Sequence, residues 1–200
     1  MNDYSYIDPD RVYTDPETGI LRNKLNIKDQ NALMFAEAAA TAKRTSELRA
    51  RPIRIKDARA LFAIHRHLFQ DIYEWAGERR IVEISKGGKQ FFLTSHFDNA
   101  LAYIDGLLAE YKRVDKKDRT KLSGKLAEIL DTVNYMHPFR EGNGRTQREF
   151  IRLLAMEKGW RLNLNPPDNI EVYRRYMNGT VNGDIKALAE LLSDILQKDE

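Results

Sequence analysis

Apolar residues recur every three or four positions along most of this chain, and that spacing is typical of amphipathic α-helices. The clearest case runs from Asp118 to Met136, where leucine, isoleucine and valine fall on one face. The pattern predicts a mainly α protein, a compact helical bundle. The other predicted helices have these approximate bounds: Asn26 or Asp29 to Arg51, Lys56 to Trp75, Ser95 or Asp98 to Tyr111, Asn143 or Gly144 to Lys158, Asp168 to Tyr176, and Asp184 to Ile195.

The hydrophobic period changes from helical to alternating between residues 79 and 94. Ile81–Ser85 alternates, Lys86–Lys89 has the composition of a tight turn, and Gln90–Leu93 favours a strand. We therefore expect one β-hairpin. The unpaired edge of such a hairpin can accept an extended segment of another protein. The alternative is a hairpin that serves only to pack on the helices.

Residues 1–24 show no regular period, and we expect an irregular N-terminal arm. Three tyrosines, Tyr4, Tyr6 and Tyr13, can anchor this arm on the globular body. The turn signals within it are Asp8–Pro9, Asp15–Pro16 and Thr18–Gly19.

Length and composition limit the class of protein. With 200 residues, 42% of them hydrophobic, the chain can bury one full core, and we expect a single domain over residues 1–200. The absence of cysteine fits a reducing compartment, and the first residues lack the features of a secretory signal. No run approaches the roughly eighteen apolar residues of a membrane span. The composition indicates a protein made in the cytosol, with no membrane partner.

The charge balance argues against nucleic acid as a direct partner. A net charge of +3 arises from 33 basic and 30 acidic residues, which is a mixed surface. The densest basic segment, residues 112–125, is interrupted by Asp115 and Asp118 and has no interleaved aromatic residues. We interpret it as a solvated connection between helices.

The segment His137–Arg148 combines several chemical functions in one loop and one helical turn. Pro138 ends the preceding helix at His137, and the apolar pattern of a second helix resumes after the Gly142–Gly144 turn. The first amides of that helix can bind phosphate oxygens. Arg145 and Arg148 share a face of its first turn, where an anion would compensate their charge.

Two further residues of this segment suit phosphoryl chemistry. Glu141 offers an oxygen ligand for magnesium beside the phosphate turn. His137, with an ordinary pKa of about 6.5, can accept a proton from an attacking hydroxyl. We expect Phe139 to enter the core and fix the loop. Each feature alone is more often structural, but their combination in one run favours an active site.

The segment resembles the signature of Fic-domain proteins, His-x-Phe-x-(Asp/Glu)-Gly-Asn-Gly-Arg-x-x-Arg, at every fixed position. The resemblance implies a Fic fold and transfer of AMP from ATP to a Ser, Thr or Tyr hydroxyl of a target protein, with release of pyrophosphate. It implies His137 as the general base, with ATP and Mg²⁺ required and Glu141 as the metal ligand. The residues it assigns to nucleotide binding are Gly142, Asn143, Gly144, Arg145 and Arg148.

The hairpin resembles the target-docking flap of Fic proteins, and the preceding Trp75–Gly77 also fits the family. The resemblance implies that a target segment adds to the flap as a strand, with its hydroxyl near His137. The residues assigned to docking are Ile84, Ser85, Lys86, Gly87, Gly88 and Phe91.

Self-controlled Fic proteins carry an inhibitory motif, (Ser/Thr)-x-x-x-Glu-(Gly/Asn), whose glutamate pairs with the second signature arginine. No Ser or Thr of this chain has a glutamate four positions later. The nearest cases, Thr94 and Thr180, are followed by Asp98 and Asp184. The resemblance therefore implies a free-standing toxin, restrained by a small antitoxin that supplies the glutamate and opposes ATP at Arg148.

Several alternatives stay open. Fic proteins with altered signatures transfer phosphate or phosphocholine, and a different class is a non-catalytic interaction module. Related Fic toxins act on DNA gyrase or topoisomerase IV subunits, whereas exported Fic domains modify small GTPases. The expected location is the bacterial cytoplasm, with export into a host cell as part of a larger effector as the alternative.

Overall fold

The protein is described by a computed structural model that covers residues 4–7, by their backbone, and residues 11–199. Within these ranges the chain forms a helical bundle with two small β-sheets, which confirms the predicted fold class. The helices are α1 Gln30–Ala50, α2 Ala60–Phe69, α3 Phe97–Arg113, α4 Arg119–Met136, α5 Asn143–Glu157, α6 Ile170–Asn182 and α7 Ile185–Ile195.

Three aspartates start helices where the sequence predicted them. The carboxylates of Asp29, Asp118 and Asp184 accept the main-chain N–H three residues later and so cap α1, α4 and α7. The prediction for α6 was wrong in both bounds. Its cap is Asn169 rather than Asp168, and it continues past Tyr176 to a left-handed Gly183.

Helix α2 is shorter than the predicted range of Lys56 to Trp75. After Phe69 the chain turns back, so that Gly77 lies against α2. A Cβ atom on Gly77 would lie 2.6 Å from Cβ of Arg66, and its φ of +84° also favours glycine. This close return brings the segment before the hairpin onto the helix that supports the site.

Helix α4 lies at the centre of the bundle and packs against α3, α5 and α7. Its buried face is the apolar stripe that the sequence predicted, with Leu126, Ile129, Leu130 and Val133 fully covered. The chain leaves α4 at Met136 and re-enters a helix at Asn143. The loop 137–142 therefore sits on a rigid core at both ends.

The predicted hairpin is present, as β2 Glu83–Lys86 and β3 Lys89–Gln90. Its bounds differ from the prediction: Lys86 and Lys89 belong to the strands, and the strand expected over Gln90–Leu93 ends at Gln90, beyond which the N–H of Phe92 bonds to the carbonyl of Tyr135. A third strand, β1 Tyr4–Ile7, pairs antiparallel with β2, so that β2 is the central strand of a three-stranded sheet. Part of the arm expected to be irregular is thus a strand. A separate ribbon joins β4 Trp160–Arg161 to β5 Gln197–Lys198.

The rest of the N-terminal segment agrees with the sequence where it is described. Tyr13 is buried against Val82 and Ile84 under the hairpin, which confirms it as an anchor. Asp15 accepts main-chain N–H groups of Glu17 and Thr18 in a tight turn. The Asp8–Pro9 turn and the side chains of Tyr4 and Tyr6 lie outside the described residues.

Among residues 4–7 and 11–199, none of the helices combines the length and the apolar character that crossing a membrane would require.

Candidate active site

The end of α4 places His137 at the start of the signature loop in an unusual backbone conformation. Its φ and ψ are 44° and 60°, in the left-handed region that residues with a Cβ rarely adopt. The main-chain N–H of His137 still bonds to the carbonyl of Val133, so the residue closes the helix before Pro138 turns the chain away. The predicted end of the helix is confirmed.

The hydrogen bond of the His137 ring defines its tautomer. Nδ1 lies 3.1 Å from the carbonyl oxygen of Asn134, which can only accept, so Nδ1 carries the proton. The acceptor lone pair is then on Nε2. Burial lowers the pKa of His137 to about 3, and the charges of Arg80 and Lys86 act in the same direction. The imidazole is therefore neutral near pH 7, as a general base must be.

The flap covers this imidazole. The ring of Phe91, from the residue after β3, stacks on the His137 ring at 3.9 Å, and His137 is only 5% exposed. Phe91 was assigned to target docking, and its position beside the base is compatible with that role. In this conformation a target hydroxyl reaches His137 only after Phe91 moves.

The turn before α5 requires glycine at Gly142. Its φ is +82°, and a Cβ atom there would lie 2.3 Å from the ring of Phe69. Gly144 has ordinary helical dihedrals, and its Cβ would meet only the end of the Arg148 side chain, at 3.2 Å. The first amides of α5 have no acceptor within the helix, and with the positive end of the helix dipole they suit a phosphate group.

The side chain of Asn143 does not point toward a ligand position. Its Oδ1 accepts the N–H of Phe139 at 2.9 Å, and its Nδ2 donates to the carbonyl of Phe139 at 2.7 Å. Both ends of the amide thus close the loop on itself. Asn143 can contribute its main-chain N–H to anion binding, while its side chain fixes the loop. Phe139 is buried, as predicted.

Arg145 lies in a chain of charged and aromatic groups. Its Nη2 bonds to Oε1 of Glu37 at 2.5 Å, and it lies 3.6 Å from Oε1 of Glu141. The guanidinium also stacks over the ring of Phe69. Glu37 accepts a second hydrogen bond from the hydroxyl of Tyr73, whose pKa is raised mainly by burial. Arg145 is thus already paired with carboxylates and is less available as a phosphate clamp than predicted.

Glu37 was not among the predicted site residues. This residue stands alone among alanines on α1, with Ala36 before it and Ala38–Ala40 after it. An isolated carboxylate on a weakly polar face is a signal for a buried partner. Its side chain is only 12% exposed.

Arg148 lies at the edge of a basic cavity. Its guanidinium is 5.7 Å and 5.6 Å from the ring centres of Tyr173 and Tyr176 on α6, within the range of cation–π attraction. The cavity beside it has a volume of about 170 Å³. Four arginines from α1 and α5 line it, together with one glutamate: Arg49, Arg145, Arg148, Arg152 and Glu149.

His65 supports the signature loop from below. Its Nδ1 accepts the N–H of Gly77 at 2.8 Å, so Nε2 carries the proton and donates to the carbonyl of Glu141 at 3.0 Å. The ring also stacks on Phe139 at 3.8 Å. Burial lowers the pKa of His65 to about 3, with the charge of Arg145 acting the same way. The two hydrogen bonds form a connection to the signature loop that no sequence pattern indicated.

The structure revises part of the docking assignment. Ile84 is 1% exposed and belongs to the small core beneath the flap, so its side chain cannot contact a target. Ser85 and Lys86 pair with β1 on one side and β3 on the other, which leaves no edge at β2 for strand addition. Gly87 and Gly88 form the exposed tip with positive φ. Any added strand must use the outer edge of β3 or of β1.

The sequence is similar to those of known proteins. The model of the Fic/DOC family matches residues 56–155. The chain is 39% identical to protein adenylyltransferase VbhT of Bartonella schoenbuchensis, over 81% of this chain and 34% of VbhT. It is 36% identical to probable protein adenylyltransferase y4lH of Sinorhizobium fredii, over 87% of this chain and 90% of that protein. The chain therefore spans about a third of VbhT but most of y4lH.

A solved structure shares the fold. The crystal structure of BepC, a VirB-translocated effector of Bartonella tribocorum with bound AMPPNP, gives a TM-score of 0.82. The match covers 95% of this chain and 98% of BepC, at 22% identity. The chain belongs to the Fic/DOC family, as its signature predicted, and its relatives include the members named protein adenylyltransferases.

Proposed function

We propose that this protein transfers AMP from ATP to a Ser, Thr or Tyr hydroxyl of a target protein and releases pyrophosphate. One observation carries the proposal. The loop 137–142 begins at His137, whose Nε2 carries an acceptor lone pair, and ends at the N-terminus of α5. A proton acceptor and a phosphate-binding group on one rigid loop are what attack on phosphorus requires.

In the proposed reaction, Nε2 of His137 takes the proton of the target hydroxyl as its oxygen attacks the α-phosphorus of ATP. The new oxygen–phosphorus bond forms, and the bond to the pyrophosphate oxygen breaks. The amides of Asn143 and Gly144 stabilise charge on the α-phosphate oxygens. Arg148 is the better placed of the two signature arginines to contact the outer phosphates, since Arg145 is held by Glu37.

Glu141 fits the role of magnesium ligand. Its side chain is one-third exposed and lies beside the phosphate turn, with Oε1 bonded to the N–H of Gly142. Magnesium is commonly held by one or two carboxylates together with substrate phosphates and water. When bound, the ion would neutralise phosphate charge. AMPPNP in the related BepC structure supports nucleotide binding at this fold.

The target is proposed to dock at the flap, at the outer edge of β3, where Gln90 lies next to Phe91. The exposed tip Gly87–Gly88 and Lys86 lie beside this edge. Docking would move Phe91 away from His137 and admit the hydroxyl. Gyrase or topoisomerase IV subunits and small GTPases are the target classes suggested by family resemblance.

Restraint is proposed to come from a small antitoxin that places a glutamate at Arg148. The basic cavity beside Arg148 supports this, because four arginines face one glutamate there. Adding a protein with the (Ser/Thr)-x-x-x-Glu-(Gly/Asn) motif should suppress transfer. Replacing its glutamate by glycine should restore transfer, and suppression that survives this change would contradict the competition. The bacterial cytoplasm is the proposed location, and the translocated relative BepC keeps export into a host as the alternative.

The central experiment incubates the protein with ATP, Mg²⁺ and a lysate of its source, followed by intact-protein mass spectrometry of modified bands. We expect a mass increase of one AMP group on a hydroxyl residue. His137→Ala should abolish it, whereas His67→Ala, which removes a histidine bonded to the carbonyl of Arg44 outside the site, should not. A mass increase of one phosphate or one phosphocholine would instead support the alternative donors. Toxicity that survives His137→Ala would indicate an interaction module.

A further inference from the structure

Arg80, the residue just before the flap, is an unusually buried charge. Its side chain has no exposed surface, although arginine is almost never fully buried unless it is paired. Burial lowers the pKa of Arg80 from its ordinary value, with Glu83 acting in the opposite direction. No sequence pattern indicated a role for this residue, but its contacts do.

On one side, Arg80 holds two successive carbonyls of the signature loop. Its Nε donates to the carbonyl of His137 at 2.8 Å, and its main-chain N–H donates to the carbonyl of Pro138 at 2.7 Å. The first of these carbonyls belongs to the residue in the left-handed conformation. Arg80 therefore helps to fix the backbone from which the imidazole projects.

On the other side, the same guanidinium holds both ends of the flap. Nη1 donates to the carbonyl of Val82 at 2.6 Å and pairs with Glu83 at 3.2 Å. Nη2 donates to the carbonyl of Phe92 at 2.5 Å. Glu83 in turn accepts hydrogen bonds from the N–H and hydroxyl of Thr94, beyond β3.

We propose that Arg80 is a positioning residue that sets the distance between the target-docking flap and the imidazole of His137. This inference rests on the proposed function, since it assumes that the target docks at the flap. One planar guanidinium connects the segment just before β2, the segment just after β3 and the loop that carries the base. Lysine cannot replace it, because an ammonium is a single donor centre and cannot span three carbonyls that lie in different directions.

A purely structural role for Arg80 and a positioning role predict different experimental results. If Arg80 only stabilised the core, its replacement would reduce the folded fraction and leave the folded molecules with normal activity. A positioning role requires the folded molecules themselves to transfer AMP slowly. Nucleotide binding should be unchanged in either case, because within the described residues Arg80 forms no hydrogen bond with the amides of α5 or with Arg148.

The test uses the full chain with Arg80→Lys and Arg80→Gln. Leu196→Ala serves as a destabilised control. Leu196 is buried beside β5, and β5 pairs with β4, which follows the C-terminal end of α5, the end opposite the signature turn. Binding of AMPPNP with Mg²⁺ and the rate of AMP transfer to the identified target are measured below the melting temperature of every variant. A third readout is the acylation of His137 by diethyl pyrocarbonate, relative to exposed His96 in the same molecule.

We expect both Arg80 variants to bind AMPPNP within about twofold of the wild type and to transfer AMP about 100-fold more slowly. His137 should react faster with the reagent, since the flap is no longer held over it. Leu196→Ala should match the wild type in all three measurements. Arg80 variants with wild-type transfer and wild-type His137 reactivity would overturn the inference. If the wild type transfers nothing, the proposed function fails, but the reactivity of His137 still tests whether Arg80 positions the flap.

Discussion

The ring of Phe91 lies on the imidazole of His137, with the ring centres 3.9 Å apart and an angle of 17° between the ring planes. One residue follows the hairpin and the other begins the signature loop, so the flap and the base are in direct contact. The contact contributes to the burial that lowers the pKa of His137 and keeps its imidazole neutral. The proposed docking surface and the proposed base are therefore coupled through one aromatic side chain.

Removing this ring should change the pH dependence of AMP transfer. In Phe91→Ala the imidazole regains water, and we expect the pKa of His137 to rise from about 3 toward its ordinary value of 6.5. Since the base must be neutral, kcat/KM for the wild type should be flat with respect to His137 between about pH 5 and 7. For Phe91→Ala it should fall below about pH 6.5. Phe91→Leu keeps an apolar cover and should resemble the wild type; equal profiles for all three proteins would contradict the coupling.

The same shift predicts how stability depends on pH. The unfolded chain protonates His137 below about pH 6.5, whereas the folded chain does so only near pH 3. Between these values the unfolded state binds more protons, so the free energy of unfolding falls as the pH falls, by up to about 1.4 kcal/mol per pH unit from this residue.

Urea denaturation of the wild type and Phe91→Ala between about pH 5 and 7 measures this contribution. The slope of stability against pH should be smaller for Phe91→Ala, because its His137 is closer to solvent. His65 is buried in both proteins, so its effect cancels in the comparison. Parallel curves would show that Phe91 does not control the protonation of His137.

The two glycines of the signature turn should respond very differently to alanine. Gly142→Ala places a Cβ atom 2.3 Å from Phe69 at a φ of +82°, so we expect a loss of more than about 2 kcal/mol of stability and loss of AMP transfer. Gly144→Ala meets only the flexible end of Arg148 at 3.2 Å. It should fold normally and weaken AMPPNP binding severalfold by displacing that arginine. Thermal melting and nucleotide titration of both variants test this, and similar stabilities would be inconsistent with the observed turn.

Local sequence patterns predicted the parts of the site that are local in the chain. The end of α4 at His137, the turn at Gly142 and the start of α5 follow from periodicity and from the backbone demands of proline and glycine. The supporting residues could not be found in this way, because their partners are distant. Glu37 and Arg145 are separated by 108 positions, His65 and Glu141 by 76, and Arg80 and His137 by 57.

The same reason explains the errors at the flap. A hairpin can be predicted from sequence because its two strands are neighbours in the chain. Strand β1, however, comes from the N-terminal segment and is far from β2 in sequence. That pairing turns β2 from an edge strand into a central one and moves any docking edge elsewhere. The wrong assignment of Ile84 to target docking has the same cause, since the small core that covers its side chain includes Tyr13 of the distant N-terminal segment.

Glu37 offers a test of competition inside the site. Its carboxylate bonds to Arg145 at 2.5 Å. We propose that, when nucleotide is present, this carboxylate competes with phosphate oxygens for the guanidinium. In Glu37→Gln we expect AMPPNP to bind about fivefold more tightly, on the order of 1 kcal/mol. We also expect about 1–3 kcal/mol less stability, because a charge-assisted hydrogen bond is lost.

Tyr73→Phe is the matched control for Glu37→Gln. It removes the hydroxyl that donates to Glu37 but keeps the carboxylate on Arg145. It should lower stability without tightening AMPPNP binding, since the negative charge remains. Isothermal titration with AMPPNP and Mg²⁺, alongside chemical denaturation, separates the two effects. If Glu37→Gln binds the nucleotide more weakly than the wild type, then Glu37 orients Arg145 for phosphate instead of competing with it.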